Sequence, residues 1–410
     1  MSTPARTVVT PADVLAARPA VAALARRTPV VSSRTISART GGTVALKAEN
    51  LQLTGSFKIR GAAAKLAALG ADACAHGVVC ASAGNHAQAV AAAARERGVR
   101  CEVYVPADAP LSKVDAATGQ GAIVHEGGES VDECLAQALA RARADGLAFV
   151  HPFDDPDIVA GQGSLGLELL EQVPDLAKVV VPVGGGGLCS GVAIAIKSER
   201  PEVEVVGVQA AACAPYPESL RRGEAVPAGS ALTIADGIAV KRPGELTLPL
   251  LREWTDGIVV VGEDETAEAM VLLLERGKLV VEGAGAVGVA ALLGGQVAPA
   301  EEGTTVVVLS GGNVDSGLLA AVARRHESQA GRRLVLLTRI ADRPGNLARL
   351  LACVASTGAN IVDVAHVREG LDLHVRETAI ELVLETRGRE HADSVVAAMH
   401  ERGYGTQVLH

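Results

Sequence analysis

The stretch Glu49-Asn50-Leu51-Gln52-Leu53-Thr54-Gly55-Ser56-Phe57-Lys58-Ile59-Arg60-Gly61-Ala62 sets one lysine between two apolar side chains, Phe57 and Ile59. An amine in such a setting is partly desolvated, its pKa falls, and the neutral form can attack an aldehyde. A Schiff-base lysine needs that environment. The same pattern also suits a helix lysine that lays its stem on the core and keeps its head in water. Three loops bear on the choice. Ser82-Ala83-Gly84-Asn85-His86 lies where a strand run passes into a helical one, so free N–H groups at the helix start could seat a carboxylate. Gly184-Gly185-Gly186-Gly187-Leu188 also follows a strand and opens a helix, and successive glycines let backbone N–H groups wrap a phosphate. Ser310-Gly311-Gly312-Asn313 ends a third strand. Each loop alone is a common turn. Together they lie at carboxyl ends of strands and can converge on one cleft.

The elements that would position these loops alternate. Apolar β-type runs at 44–49, 78–81, 101–105, 122–125, 179–183, 203–208, 258–261 and 305–309 are separated by Ala-rich helical runs. The helices are expected near 85–97, 112–118, 130–144, 188–197 and 264–276. Continuous apolar strands between helices imply a parallel sheet covered on both faces, and two such blocks imply two α/β lobes with a ligand at the strand ends. Ahead of them, Thr10-Pro11-Ala12-Asp13 reads as a capping box, with a helix to about Arg18 and a second one opened by Pro19. Past Ser328 the rhythm becomes strand 334–340, a turn Asp342-Arg343-Pro344-Gly345-Asn346 into a helix, strands 360–366 and 378–385, helix 390–402 and strand 407–409. This β-α-β-β-α-β order is ferredoxin-like and predicts a separate small domain.

Bulk properties exclude several functions. The 410 residues exceed one ordinary core, and 49% are apolar, which permits a large one. With a net charge of -9, no basic block and 2% aromatics, nucleic acid is a poor partner. No apolar run reaches the ~20 residues of a membrane span, and Met1 to Val14 lacks the pattern of a signal peptide. The seven cysteines are odd in number and form no C-x-x-C pair, which argues for reduced thiols in a cytoplasmic protein. The ten histidines form no zinc-type cluster, so no metal is expected.

Taken as a set, S-F-K-I-R-G-A, S-A-G-N-H-A-Q, G-G-G-G-L and S-G-G-N resemble, in order and spacing, the threonine/serine dehydratase family of the second fold type of pyridoxal-phosphate enzymes. The resemblance covers essentially the whole chain. It implies a two-lobed α/β fold like that of the tryptophan synthase β chain, over residues 1–325, with a smaller lobe at about 50–152. It implies that Lys58 carries pyridoxal 5'-phosphate and later acts as base at Cα, with Phe57 packed beside the cofactor. Asn85 would bond the pyridine 3′-oxygen, Gly184, Gly185, Gly186, Gly187 and Leu188 the phosphate, and Ser310 the pyridine nitrogen. Ser82, Gly84, Asn85 and His86 would seat the substrate carboxylate, and Gly237 and Glu282 would lie near the site. A neutral hydroxyl such as Ser310 does not keep the pyridine protonated as an aspartate would, so the ring is a weaker electron sink. That favours prompt loss of a β-hydroxyl: L-threonine to 2-oxobutanoate and ammonia, with L-serine to pyruvate beside it.

Two departures refine the reading. Relatives that racemise serine carry a serine where this chain has Ala83, which cannot accept a proton. Relatives that bind a cation use a Glu where this chain has Gly207-Val208-Gln209-Ala210-Ala211, so the charged ligand is missing. A competing motif, Gly283-Ala284-Gly285-Ala286-Val287-Gly288, matches the dinucleotide fingerprint, with Glu301 or Glu302 as the ribose acid. The run before it continues a helical stretch rather than forming a strand, and the resemblance makes these glycines close-packing positions instead. Residues 332–410 resemble an ACT domain, which implies either an amino-acid effector site or a dimerisation module without ligand. A homodimer or homotetramer is expected. The alternatives are a serine-selective or hydroxyaspartate dehydratase, and a catalytically silent amino-acid sensor.

Overall fold

A computed structural model describes residues 8–369 and 373–409. The chain divides into two units, Met1–Asp315 and Ser316–His410. The division falls ahead of helix Ser316–Gln329, earlier than the expected catalytic boundary at 325.

The first unit holds two sheets. The larger runs in the order Val30–Ser32, Thr43–Ala48, Thr304–Leu309, Leu176–Pro182, Glu204–Ala210, Gly257–Val261. Only the first pairing is antiparallel. Val306, Val307, Val308, Val179, Val180 and Val181 are all fully buried, so consecutive residues face cover on both sides and the strands read as unbroken valine runs. The smaller sheet runs Ile123–Glu126, Cys101–Val105, Val78–Ala81, Ala148–Phe149, all parallel. Behind it lies helix Asn85–Glu96, whose residues His86 to Ala94 are all buried. A run of alanines lets that helix sink into the lobe without crowding its neighbours.

Two expectations are corrected. Pro11–Ala22 is one helix with Pro19 inside it, not two. Val14 and Val21 are two turns apart and both buried; packing of that face on helix Pro156–Gln172 holds the helix together across the hydrogen bond proline forfeits. The helix expected to 276 ends at Leu272 and passes into a π turn, Leu273–Gly277, closed by Lys278 at φ 56. Gly283–Leu293 is a buried helix, and a Cβ on Gly283 would stand 2.3 Å from the Ile234 carbonyl oxygen. Those glycines serve close packing, and no strand directly precedes them.

In the second unit, strands Asn360–Val367, Glu377–Glu385, Arg333–Ala341 and Thr406–Leu409 lie side by side in that order, all antiparallel. The β-α-β-β-α-β sequence expectation is met. Period-two burial of Leu334, Leu336, Thr338 and Ile340 aims one face at helices Asn346–Ser356 and Arg389–Glu401. All seven cysteines are buried and unpaired. Among the described residues no helix is long and apolar enough to cross a membrane.

Candidate active site

The carboxyl ends of both sheets open onto one cavity of about 1020 Å³. Every residue assigned from the sequence to cofactor or substrate lines it: Phe57, Lys58, Ser82, Gly84, Asn85, His86, Gly184 through Leu188, Gly237, Glu282 and Ser310.

Lys58 opens helix Lys58–Ala73, directly after Phe57. Its Nζ donates to the Pro152 carbonyl at 2.8 Å and stands 5.3 Å from the centre of the Phe57 ring. Burial lowers its pKa to about 8, against the pull of Glu282. A deprotonated amine is thus accessible near neutrality.

The glycine loop leads from strand Leu176–Pro182 into helix Gly187–Glu199. The Gly185 carbonyl accepts from the Tyr216 hydroxyl at 2.8 Å and from Thr247 Oγ1 at 2.7 Å. In a planar trans peptide the N–H of the next residue points the opposite way, so holding this carbonyl outward turns the Gly186 N–H toward the cavity. Gly186 has φ +90, a conformation costly for other residues. The Phe153 ring covers the loop: a Cβ on Gly185 would lie 2.1 Å from it. Gly185→Ala is therefore expected to cost about 1–3 kcal/mol of unfolding free energy. Urea denaturation of the cofactor-free protein checks this, and a loss within error of zero would mean that the ring moves aside freely.

In the loop before helix Asn85–Glu96, the Gly84 N–H is taken by Ser82 Oγ at 3.1 Å. The His86 imidazole bonds the Val150 carbonyl at 3.0 Å, and burial with Lys58 nearby pushes its pKa down to about 3. It is neutral, with the Nε2 proton committed to that carbonyl. What His86 offers an anion is its backbone N–H in the first turn.

Asn85 Nδ2 donates to Glu282 Oε1 at 2.8 Å. Burial and the neighbouring Asp236 raise Glu282 to about 7. The folded state then holds a proton that the unfolded chain releases between about pH 4.5 and 7. Stability is full below that window and falls as pH rises through it, by about 3 kcal/mol. Lys58 acts at higher pH: its buried ammonium costs stability below 8, and the cost fades as pH rises from 8 to 10.5. Urea unfolding of the cofactor-free protein from pH 4.5 to 7.5 should show the Glu282 slope, and Glu282→Gln should flatten it. An unchanged slope in the variant would assign the loss to other groups.

Several lining residues escaped sequence reasoning. Pro152 and Phe153 hold Lys58 and the glycine loop, and Asp154 caps the segment Glu245, Leu246 and Thr247 through their N–H groups. Lys113 reaches Asp236 at 2.6 Å, from the smaller lobe to the turn beside Gly237. Their only sequence signal was proximity to a strand end, as with His151-Pro152-Phe153-Asp154 after strand Ala148–Phe149. The residues fit pyridoxal phosphate: a glycine cradle that Cβ atoms would fill, a partly desolvated amine, and a buried hydroxyl at Ser310, 2% exposed.

Comparison with known proteins agrees. Residues 21–312 match the family described as pyridoxal-phosphate dependent enzyme. An L-threonine ammonia-lyase of Thermotoga maritima is 44% identical over 402 residues, covering 98% of this chain and 100% of that protein. A threonine deaminase structure from T.th. superposes with a TM-score of 0.70 at 41% identity, covering 75% of this chain and 99% of that one. Maize serine racemase superposes with a TM-score of 0.74 at 34% identity, covering 78% and 98%. The chain belongs to the family of pyridoxal-phosphate-dependent enzymes, and pyridoxal phosphate is its cofactor.

Proposed function

We propose that the chain is a threonine ammonia-lyase that converts L-threonine to 2-oxobutanoate and ammonia, with L-serine as a second substrate. The observation that carries this reading is the 44% identity to an L-threonine ammonia-lyase along that protein's whole length. When bound, pyridoxal phosphate supplies an aldehyde for amine attachment and a conjugated ring that accepts the electron pair released at Cα. Lys58 holds the cofactor and then, as a free amine, takes the Cα proton. The N–H groups of the Gly184–Leu188 loop would grip the phosphate, and those of Asn85 and His86 would orient the substrate carboxylate, with Gly84 and Ser82 beside them. Phe57 would pack on the cofactor, Asn85 would hold its ring oxygen and Ser310 its ring nitrogen. Glu282 and Gly237 line the same cavity. Once the β-hydroxyl has left as water, the enamine released is hydrolysed to the oxo acid and ammonia.

Ala83 supports elimination over racemisation, because the loop offers no second base there. kcat/KM on L-threonine, L-serine and 3-hydroxyaspartate, with chiral analysis of residual serine, tests the assignment. Threonine is expected to lead by roughly tenfold, the worth of one methyl in an apolar pocket. A lead for hydroxyaspartate, or D-serine as the main product, would overturn it. Residues 1–325 act as the catalytic domain and 332–410 as an ACT-like module that binds an amino-acid effector or pairs subunits. The working form is a cytoplasmic homodimer or homotetramer.

A further inference from the structure

We propose that Asn313 is a positioning residue that fixes which way the Asn85 amide faces, so that Asn85 can offer only an N–H to the ligand. The proposal rests on the reading that Asn85 meets the ring oxygen of the cofactor. Asn313 Nδ2 donates to the Thr54 carbonyl at 2.7 Å and to Asn85 Oδ1 at 2.7 Å. Asn85 Nδ2 in turn donates to Glu282 Oε1 at 2.8 Å. A backbone carbonyl only accepts, so Thr54 forces Asn313 to present its NH2 group. The same NH2 group forces Asn85 to present its oxygen, which leaves the Asn85 NH2 on the other side. One of its two N–H bonds goes to Glu282. The other is free for a ligand in the cavity that Asn85 lines. Turning the Asn85 amide over would set NH2 against NH2 at Asn313.

The anchor of this chain is built at a cost. Thr54 has φ 67, a left-handed conformation that a β-branched residue seldom adopts, and its buried hydroxyl has no hydrogen-bond partner. Both are tolerated where the backbone aims its carbonyl at Asn313. The neighbour Gly55, at φ +73, leaves room for the amide: a Cβ there would stand 2.3 Å from Asn313 Oδ1. The Gly312 N–H bonds the Gly55 carbonyl at 2.9 Å, and the Phe57 N–H bonds the Ser310 carbonyl at 3.0 Å. The Asn313 loop is thereby fastened to the segment that carries Lys58. A ligand ring with an acceptor oxygen beside the aldehyde carbon satisfies the free N–H, and a ring without it leaves that donor stranded.

The test compares pyridoxal phosphate with its 3-deoxy analogue, which lacks only that oxygen. Full-length protein, stripped of cofactor, is titrated with each by equilibrium dialysis. The wild type is expected to prefer pyridoxal phosphate by on the order of tenfold or more, the worth of a buried hydrogen bond lost. Asn313→Asp has the same shape but turns an oxygen toward Asn85, and it should abolish the preference by weakening only pyridoxal phosphate. Asn313→Ala, which opens a void without inverting anything, should keep part of the preference and supplies the same ratio if the aspartate variant does not fold. Equal weakening of both ligands would mark a merely structural role and overturn the proposal, as would a wild-type ratio in either variant. Asn85→Ala separates the two levels. If the wild type shows no preference, the reading of Asn85 fails; if Asn85→Ala erases the preference and Asn313→Asp retains it, only the role of Asn313 fails.

Discussion

Lys58→Ala is expected to lower 2-oxobutanoate release from L-threonine by roughly 10⁴-fold or more, because one side chain serves as both attachment point and base. The visible absorbance of covalently held cofactor should vanish with it. The fold should not suffer. Lys58 is an amine whose burial already lowers its pKa to about 8, so at neutral pH the folded protein bears the cost of a desolvated ammonium. Its removal leaves the Pro152 carbonyl without its bond, a smaller loss that partly offsets this gain. Urea unfolding of the cofactor-free variant near pH 7 should therefore match the wild type or exceed it. Lys58→Arg separates charge from chemistry: it keeps a cation in the cavity but has no amine that condenses with an aldehyde, and it should be as inactive as the alanine variant. Turnover near wild type in either would remove Lys58 from the reaction.

Two residues along the same helix, the larger effect falls on stability. Arg60 is fully buried and grips Glu49 through Nε and Nη2, both at 2.8 Å. It also holds Glu168 through Nη1 at 2.7 Å and Nη2 at 3.0 Å, and Lys47 reaches the same carboxylate at 2.6 Å. Burial works against the charge on Glu49, and Arg60 overrides it and holds the carboxyl below its ordinary range. Arg60→Ala would strand that carboxylate, also fully buried, at a cost of about 3–5 kcal/mol. Arg60→Lys should recover little, since a point charge cannot meet two carboxylates in fork geometry. The urea midpoint at pH 7 measures both. A loss under roughly 1 kcal/mol in Arg60→Ala would mean that water reaches Glu49. The group also strips stability in acid: Glu49 contributes above its unfolded pKa of 4.5 and ceases to contribute as pH falls through its lower folded value.

Much of this arrangement is legible in the sequence. The strand runs were readable because sheets covered on both faces need unbroken apolar residues, and valine has few other uses at such density. The four motifs were readable because anion seats and a Schiff-base lysine demand particular residue types at strand ends. What remained hidden depends on distant pairing. Tyr216 and Thr247 meet at the Gly185 carbonyl from segments far apart in sequence, and Asn313 joins Thr54 across most of the catalytic unit. Helix Pro156–Gln172 escaped notice because its glycines resemble turn residues, whereas they allow close helix contact. A Cβ on Gly161 would stand 2.6 Å from the Arg60 carbonyl oxygen. Pro19 misled for the opposite reason: local proline chemistry predicts a break, and the burial of Val14 and Val21 overrides it.

Thr247, which helps turn the Gly185 carbonyl outward, begins the helix Thr247–Trp254. At its far end stands the chain's single tryptophan, half-buried against the core of the larger lobe. The protein thus carries one intrinsic fluorophore of its kind, mounted on the helix that braces the phosphate loop. Its emission is a native optical gauge of that brace. Filling the loop, or loosening it with Thr247→Val, can be followed as a change in the intensity or colour of Trp254 without any added label.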